Sequence, residues 1–360
     1  MMKAFHGSYL PHQVQFLLKP IEMQLMEDVK EKERLIQTGA KHYSEMLSPE
    51  ALPSPAYWAL FERACAQHLP QMAQDCRQLA ALIARERQAP VLVSLARAGT
   101  PVGVALQAIL SWHYGRQVPH FSVSIIRDRG IDANALRYIL QQGFASEQIV
   151  FIDGWTGKGV IHRELCKAVA DVNRREDVNL SSDLYVLSDL AGVTPFAAGS
   201  EDYLIPSAIL NACVSGLVSR SILNEQIGAT DFHGCVFFKE WAAHDVSQRF
   251  IRDLLNHVPQ GDLPPAQPLP TAERAQQNRD FIAAMQAEFA IGNVNLIKPG
   301  IGEATRVLLR RQPQRLLLRD ADLPAVQHLR QLAAEKQVTI EIRPRLPYLA
   351  TALIQKRNHD

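Results

Sequence analysis

Apolar residues run in short unbroken blocks through the middle of the chain and fall at helical spacing between those blocks. Ile149, Val150, Phe151 and Ile152 form one such block, which reads as a strand buried on both faces. It runs into Asp153, Gly154, Trp155, Thr156, Gly157, Lys158 and Gly159, a turn-rich stretch, and then into His162 to Arg174. There Leu165, Cys166, Val169, Ala170 and Asn173 recur at spacings of three and four, which predicts a helix. The same strand, loop, helix rhythm appears upstream. Val91 to Leu95 is a strand and Val102 to Trp112 a helix, Phe121 to Ile126 is a second strand, and Asp183 to Leu190 is a fourth. Such repeats imply an α/β fold with a parallel, doubly wound sheet and its loops gathered at the C-terminal strand ends, where ligands bind.

The flanks read differently. Residues 1–90 pattern as a mostly helical N-terminal extension, with helical spacing over Pro20 to Gln37 and again over Tyr57 to Arg87. Residues 91–257 form the main domain. Between Val258 and Pro270 stand five prolines, a density that excludes helix and central strand, so a linker is placed at 258–272. The tail, 273–360, carries the strands Arg315 to Arg319 and Val338 to Ile342 and the helices Leu323 to Lys336 and Tyr348 to Lys356, a small α/β/α sandwich.

Charge sharpens that division. The chain of 360 residues is nearly neutral, at +1, but residues 298–360 hold twelve Lys/Arg against six Asp/Glu, while residues 1–297 hold 26 against 31. The tail is therefore a separate basic object. Hydrophobic residues make up 47% and charged residues 21%, an ordinary soluble mix with no run long enough to span a membrane. With no signal-peptide pattern at the start, a cytoplasmic protein is expected, and a homo-oligomer is admitted. The five cysteines show no CxxC spacing, which fits reduced thiols.

Three strand ends carry the candidate chemistry: Arg97, Ala98, Gly99 and Thr100 after the first, Arg127, Asp128, Arg129 and Gly130 after the second, and Asp153 to Gly159 after the third. Glycines allow backbone N–H groups to approach an anion, and a helix N-terminus with Lys158 favours its charge. The constellation suits a polyphosphate with a divalent cation, and it resembles the phosphoribosyltransferases. That resemblance implies an enzyme displacing pyrophosphate from phosphoribosyl pyrophosphate onto an unknown acceptor. Arg97, Ala98, Gly99 and Thr100 would hold pyrophosphate, with Arg127, Asp128 and Arg129 in a closing catalytic loop. Thr156, Gly157, Lys158 and Gly159 would hold the 5-phosphate, and Asp153 the ribose and a Mg2+ ion. The family usually has a second acid where this chain has Gly154.

More specifically, the chain resembles the bacterial StiP-like family of tellurium-resistance and stress-response gene clusters. The runs Gly7 to Pro11, His42 to Glu50 and Val214 to Arg220 carry that likeness. It implies a phosphoribosyltransferase-like domain followed by a Pelota-type RNA-binding domain, with a nucleoside-like metabolite pathway and structured RNA as the partner. In the tail, Gly300 to Arg306 resembles the Gly-x-Asn-Glu-x-Thr-Lys of kink-turn RNA binders, which implies RNA contacts at Lys298, Gly302, Glu303, Thr305 and Arg306. Gly302 replaces the Asn, removing one base-edge contact.

Two alternatives stand beside the transferase. A non-catalytic nucleotide- or RNA-binding adaptor is favoured by Gly154. A cysteine hydrolase, which the family description also names, would use Cys235 or Cys213 with His233. His233 and Cys235, two residues apart on a strand, would share a face. Along Ile205 to Leu223, small polar residues every four positions predict a helix whose Asn211 and Ser215 line an acceptor pocket. A Walker loop is excluded, since Gly154 to Lys158 lacks the spacer.

Overall fold

The computed structural model describes residues 5–50, 52–310 and 313–354. The elements of the first part are β1 (Gln15–Leu17), β2 (Lys19–Pro20), α1 (Val29–Gln37), α2 (Pro55–Glu86), β3 (Val91–Ala96), α3 (Thr100–Tyr114), β4 (His120–Ile126), β5 (Gly130–Ile131), α4 (Ala133–Gln141), β6 (Ile149–Thr156), α5 (Val160–Glu176), β7 (Leu184–Asp189), β8 (Ala197–Gly199), β9 (Gly234–Cys235) and α6 (Ser247–Asn256). A seven-stranded sheet runs in the order β1-β4-β3-β6-β7-β8, all parallel, with β5 antiparallel on β4. The α/β class follows from this, as the alternating pattern requires; the order by itself does not define a phosphoribosyltransferase.

Alternation along the strands decides which residue meets which helix layer. Leu92, Val150, Ile152, Tyr185 and Leu187 pack with α2, α3 and α6 on one face. Val91, Val93, Phe151 and Val186 pack with Leu136, Ile139, Leu165 and Val169 of α4 and α5 on the other. A β strand covered on both sides has no solvent face to keep polar, which is why the 149–152 block is uniformly apolar.

Helix α3 lies close on the sheet because Gly103 has no side chain. A Cβ there would stand 1.9 Å from Ser94 Oγ and 2.4 Å from His120 Nε2, two buried groups hydrogen-bonded at 2.6 Å. Gly103→Ala is expected to cost about 1–3 kcal/mol by overpacking and to lower the Tm by several degrees, read by thermal unfolding.

The N-terminal segment departs from the helical expectation. β1 pairs with β4 and β2 with β9, and the helix in the Pro20 to Gln37 stretch is confined to Val29–Gln37. The block from Val14 to Leu18 is almost fully buried, and burial of that kind is gained by completing a sheet edge. The helix expected over 205–223 is also absent. Short 3-10 turns stand there instead, broken by positive φ at Asn211, Gly216 and Leu217 and started by Pro206.

The second part comprises α7 (Ala272–Glu288), β10 (Ile297–Pro299), α8 (Ile301–Arg310), β11 (Arg315–Leu318), α9 (Gln327–Glu335), β12 (Thr339–Ile342) and β13 (Ala350–Leu353). Its four strands are ordered β10-β13-β11-β12. The helix expected over Tyr348 to Lys356 is a strand in its described portion. β13 is central, antiparallel to both β10 and β11, and Ala350, Ala352 and Leu353 are wholly buried, so cross-strand packing overrides helix propensity. Residues 355–360 and Arg311 lie outside the described residues.

No helix among the described residues is long and apolar enough to cross a membrane.

Candidate active site

The strand-end loops do come together, and their side chains are engaged with protein. Arg97 pairs with Glu50 at 2.8 Å and donates to the Val218 carbonyl at 2.9 Å. Gly99 lies so close to β6 that a Cβ would stand 2.4 Å from the Ile152 carbonyl oxygen, and Thr100 Oγ1 bonds Ser122 Oγ at 2.8 Å. Ala98 is exposed beside them. Arg127 pairs with Asp128, which sits at φ +65°, and stacks over the Tyr43 ring, while Arg129 pairs with Glu45.

The loop after β6 is covered by the second part of the chain. Lys158 Nζ donates to the Ile297 carbonyl at 2.6 Å, and Asn278 Nδ2 donates to the Gly157 carbonyl at 3.1 Å. Thr156 Oγ1 donates to Asp189, and Gly159, at φ +69°, opens α5. Burial lifts the Asp153 carboxyl to about 7, against the Gly154 N–H it accepts and the Arg306 charge. Of the expected acceptor residues, Ser215 is buried and its hydroxyl donates to the Asn211 carbonyl within a turn. Among the described residues, no group of three or more His, Cys, Asp or Glu is arranged to hold a metal ion.

The expected RNA contacts also lie at this seam. Lys298 and Arg306 each stand 3.6 Å from the Glu303 carboxylate, Gly302 faces the Trp155 indole, and Thr305 is buried on His328 at 2.8 Å.

All five thiols are free. Cys235 and Cys213 are buried in the core, and burial pushes their thiols up to about 12 and about 11. His233 is not bonded to either. Its Nδ1 bonds Ser124 Oγ at 2.8 Å, and its backbone N–H donates to Asp132 Oδ2 at 2.6 Å. Cys76 is buried on α2, and Cys65, half-buried on the same helix, is pushed up to about 12 by burial.

Cys166 differs from these four. It is half-buried, and its Sγ lies 3.6 Å from His162 Nε2 and 3.9 Å from Nδ1. The two residues are four apart on α5, one turn on the same face, and a helical side chain leans towards the N-terminus, so the thiol reaches back over the imidazole. That end of α5 carries the positive pole of the helix dipole and backbone N–H groups without a helical acceptor. Burial lowers the His162 pKa from its ordinary value, with Asp189 and Asp183 opposing, so the ring is neutral at pH 7 and able to take a proton. In the sequence Cys166 stands out only as a residue at helical spacing. A His and a Cys at i and i+4 was the signal available for the pair.

An α/β sheet protein with a thiol–imidazole contact on a helix at its strand ends is the class that fold and geometry define. The profile of the family described as "Tellurite-like stress resistance cysteine protease StiP" matches residues 7–255, and the chain belongs to that family. A second profile, "PELOTA RNA binding domain", matches residues 276–356. The chain is similar to "Cysteine protease StiP" of Acinetobacter baylyi (strain ATCC 33305 / BD413 / ADP1), 41% identical over 375 residues that cover 99% of this chain and 96% of that protein.

These findings correct the phosphoribosyltransferase reading. The family and the relative are both described as cysteine proteases, and nothing in either description concerns phosphoribosyl pyrophosphate or pyrophosphate. The physical reason for the misreading is that a Gly/Thr/Lys turn before a helix serves packing as well as it serves phosphate. Here Lys158 meets a protein carbonyl and Arg97 a carboxylate where a ligand's oxygens were expected, and the Gly157 carbonyl accepts from the Asn278 amide.

Proposed function

We propose that this chain is a cysteine protease of the stress-resistance kind, with Cys166 as nucleophile and His162 as base, and with an RNA-binding C-terminal domain. The observation that carries the reading is the 3.6 Å approach of Sγ to Nε2, which pairs an accessible thiol with a neutral imidazole.

Chemically, the imidazole takes the thiol proton as sulfur adds to the peptide carbonyl. The tetrahedral intermediate collapses with loss of the amine, which leaves with the proton from His162. Water, deprotonated by the same ring, then hydrolyses the thioester and restores the thiol. No metal is required by this sequence of steps. Family membership supports the reaction class, and the Pelota profile supports RNA as a partner.

The test is hydrolysis of fluorescein-labelled casein by the full chain. Activity is expected to be abolished by iodoacetamide. Because burial lowers the His162 pKa, the acidic limb of the rate profile is expected to fall below the range of an ordinary imidazole. Casein hydrolysis that survives alkylation would rule out a thiol nucleophile.

A further inference from the structure

The RNA-contact candidates of the C-terminal domain face a wall of the first domain, and that wall is chemically suited to the same ligand. The Arg306 guanidinium lies 5.7 Å over the Trp155 ring. Gly302 sits against this indole, where a Cβ would stand 3.4 Å from two ring carbons. Lys158 extends from the β6 loop to the Ile297 carbonyl, one residue from Lys298.

Cations outnumber carboxylates here. Lys158, Arg127, Arg163, Lys298 and Arg306 gather around Asp153 and Glu303, with Asp128 on Arg127. The crowding is felt by Lys158, whose pKa is lowered to about 7 by burial and then by Lys298, Arg127 and Arg163, with only Glu303 opposing. Like charges held together along a partly exposed seam cost free energy, and a polyanion laid along it recovers that cost and releases counterions. The Trp155 indole holds the Arg306 guanidinium on one side and Glu303 stands 3.6 Å from its Nη1, and a planar fork held in this way is the group that binds phosphate in two-point contact.

We propose that RNA binds across the seam between the two domains, its phosphates held by Lys158 and Arg127 of the first and by Lys298 and Arg306 of the second. Trp155 acts as the positioning residue for Arg306. This rests on the reading of the C-terminal domain as RNA-binding and extends it to residues outside that domain. It also joins the RNA surface to the N-terminus of α5, the helix that carries His162 and Cys166.

The experiment is fluorescence anisotropy of a short, mixed-sequence, fluorescein-labelled single-stranded RNA with the full chain, titrated between about 50 and 200 mM salt. Trp155→Ala and Lys158→Gln are each expected to weaken binding about tenfold. Lys158→Gln should also flatten the plot of log K against log salt by about 0.7, one phosphate's worth. Trp155→Phe, which keeps an aromatic face, should recover most of the affinity. If Trp155→Ala fails to fold, the half-buried Lys158 side chain still decides the matter. Native affinity in both first-domain variants, with loss in Lys298→Gln and Arg306→Gln, would confine the surface to the C-terminal domain and overturn the proposal. Failure of the native chain to bind at about 50 mM salt would overturn the RNA reading itself.

Discussion

Cys166→Ser is expected to lower peptidase turnover by at least about 10^4-fold, with an unchanged melting temperature. The side chain is half-buried and its Sγ lies against the His162 ring, and serine is close to cysteine in size, so oxygen for sulfur disturbs little packing. What it removes is the thiol nucleophile, because a serine hydroxyl is far less acidic than a thiol and the His162 imidazole ionises it poorly. His162→Ala should fall by about 10^2 to 10^4-fold, the usual worth of a general base, and should lose the acidic limb of the rate profile. The two losses should not add, since thiol and ring act as one unit. Cys235→Ser and Cys213→Ser serve as controls, with turnover close to native.

The second large effect concerns the seam. Asp202, after β8, reaches into the C-terminal domain, where Oδ1 accepts the Ile301 N–H at 2.7 Å and Oδ2 accepts the Leu349 N–H at 2.8 Å. Ile301 opens α8, so the carboxylate caps a helix that belongs to the other domain. Asp202→Ala leaves both donors without their acceptor and should cost about 3 kcal/mol at pH 5, seen as a lower unfolding temperature. The pH dependence has a definite sign. Burial raises the folded-state pKa of Asp202 to about 6, above the ordinary 3.8. The folded chain therefore binds this proton more tightly than the unfolded chain. The stability the group contributes is present below 3.8 and is lost as pH rises through 6. The alanine variant lacks that loss, so its deficit at pH 8 should be smaller than at pH 5 by roughly 1.4 kcal/mol, the one pKa unit between pH 5 and the folded value of about 6. An equal deficit at both pH values would mean that Asp202 does not carry the seam as described.

The central sheet was legible because strands buried on both faces leave uninterrupted apolar blocks, as at Val91 to Leu95 and Ile149 to Ile152. Short elements defined by their partners were not. β1 exists because β4 is beside it, and β13 because β10 and β11 flank it, and no local pattern announces either. The turns at 205–223 show the reverse failure, where a small polar residue at every fourth position imitated a helix that Pro206 and Gly216 prevent. For the site, glycines, threonine and lysine after a strand gave a strong phosphate signal. The sequence could not show that the C-terminal domain closes over that loop through Lys158 and Asn278. The His162 and Cys166 pair was present in the pattern of α5, hidden because a half-buried cysteine at helical spacing is read first as packing.

The most direct test is to alkylate the native protein with substoichiometric iodoacetamide, follow casein hydrolysis, and map the modified thiol by mass spectrometry. The thiol–imidazole account predicts that residual activity falls in step with carbamidomethylation of Cys166, and that His162→Ala slows this labelling near neutral pH. Loss of activity that tracks labelling of Cys65, the other half-buried thiol, while Cys166 stays unmodified, would contradict it.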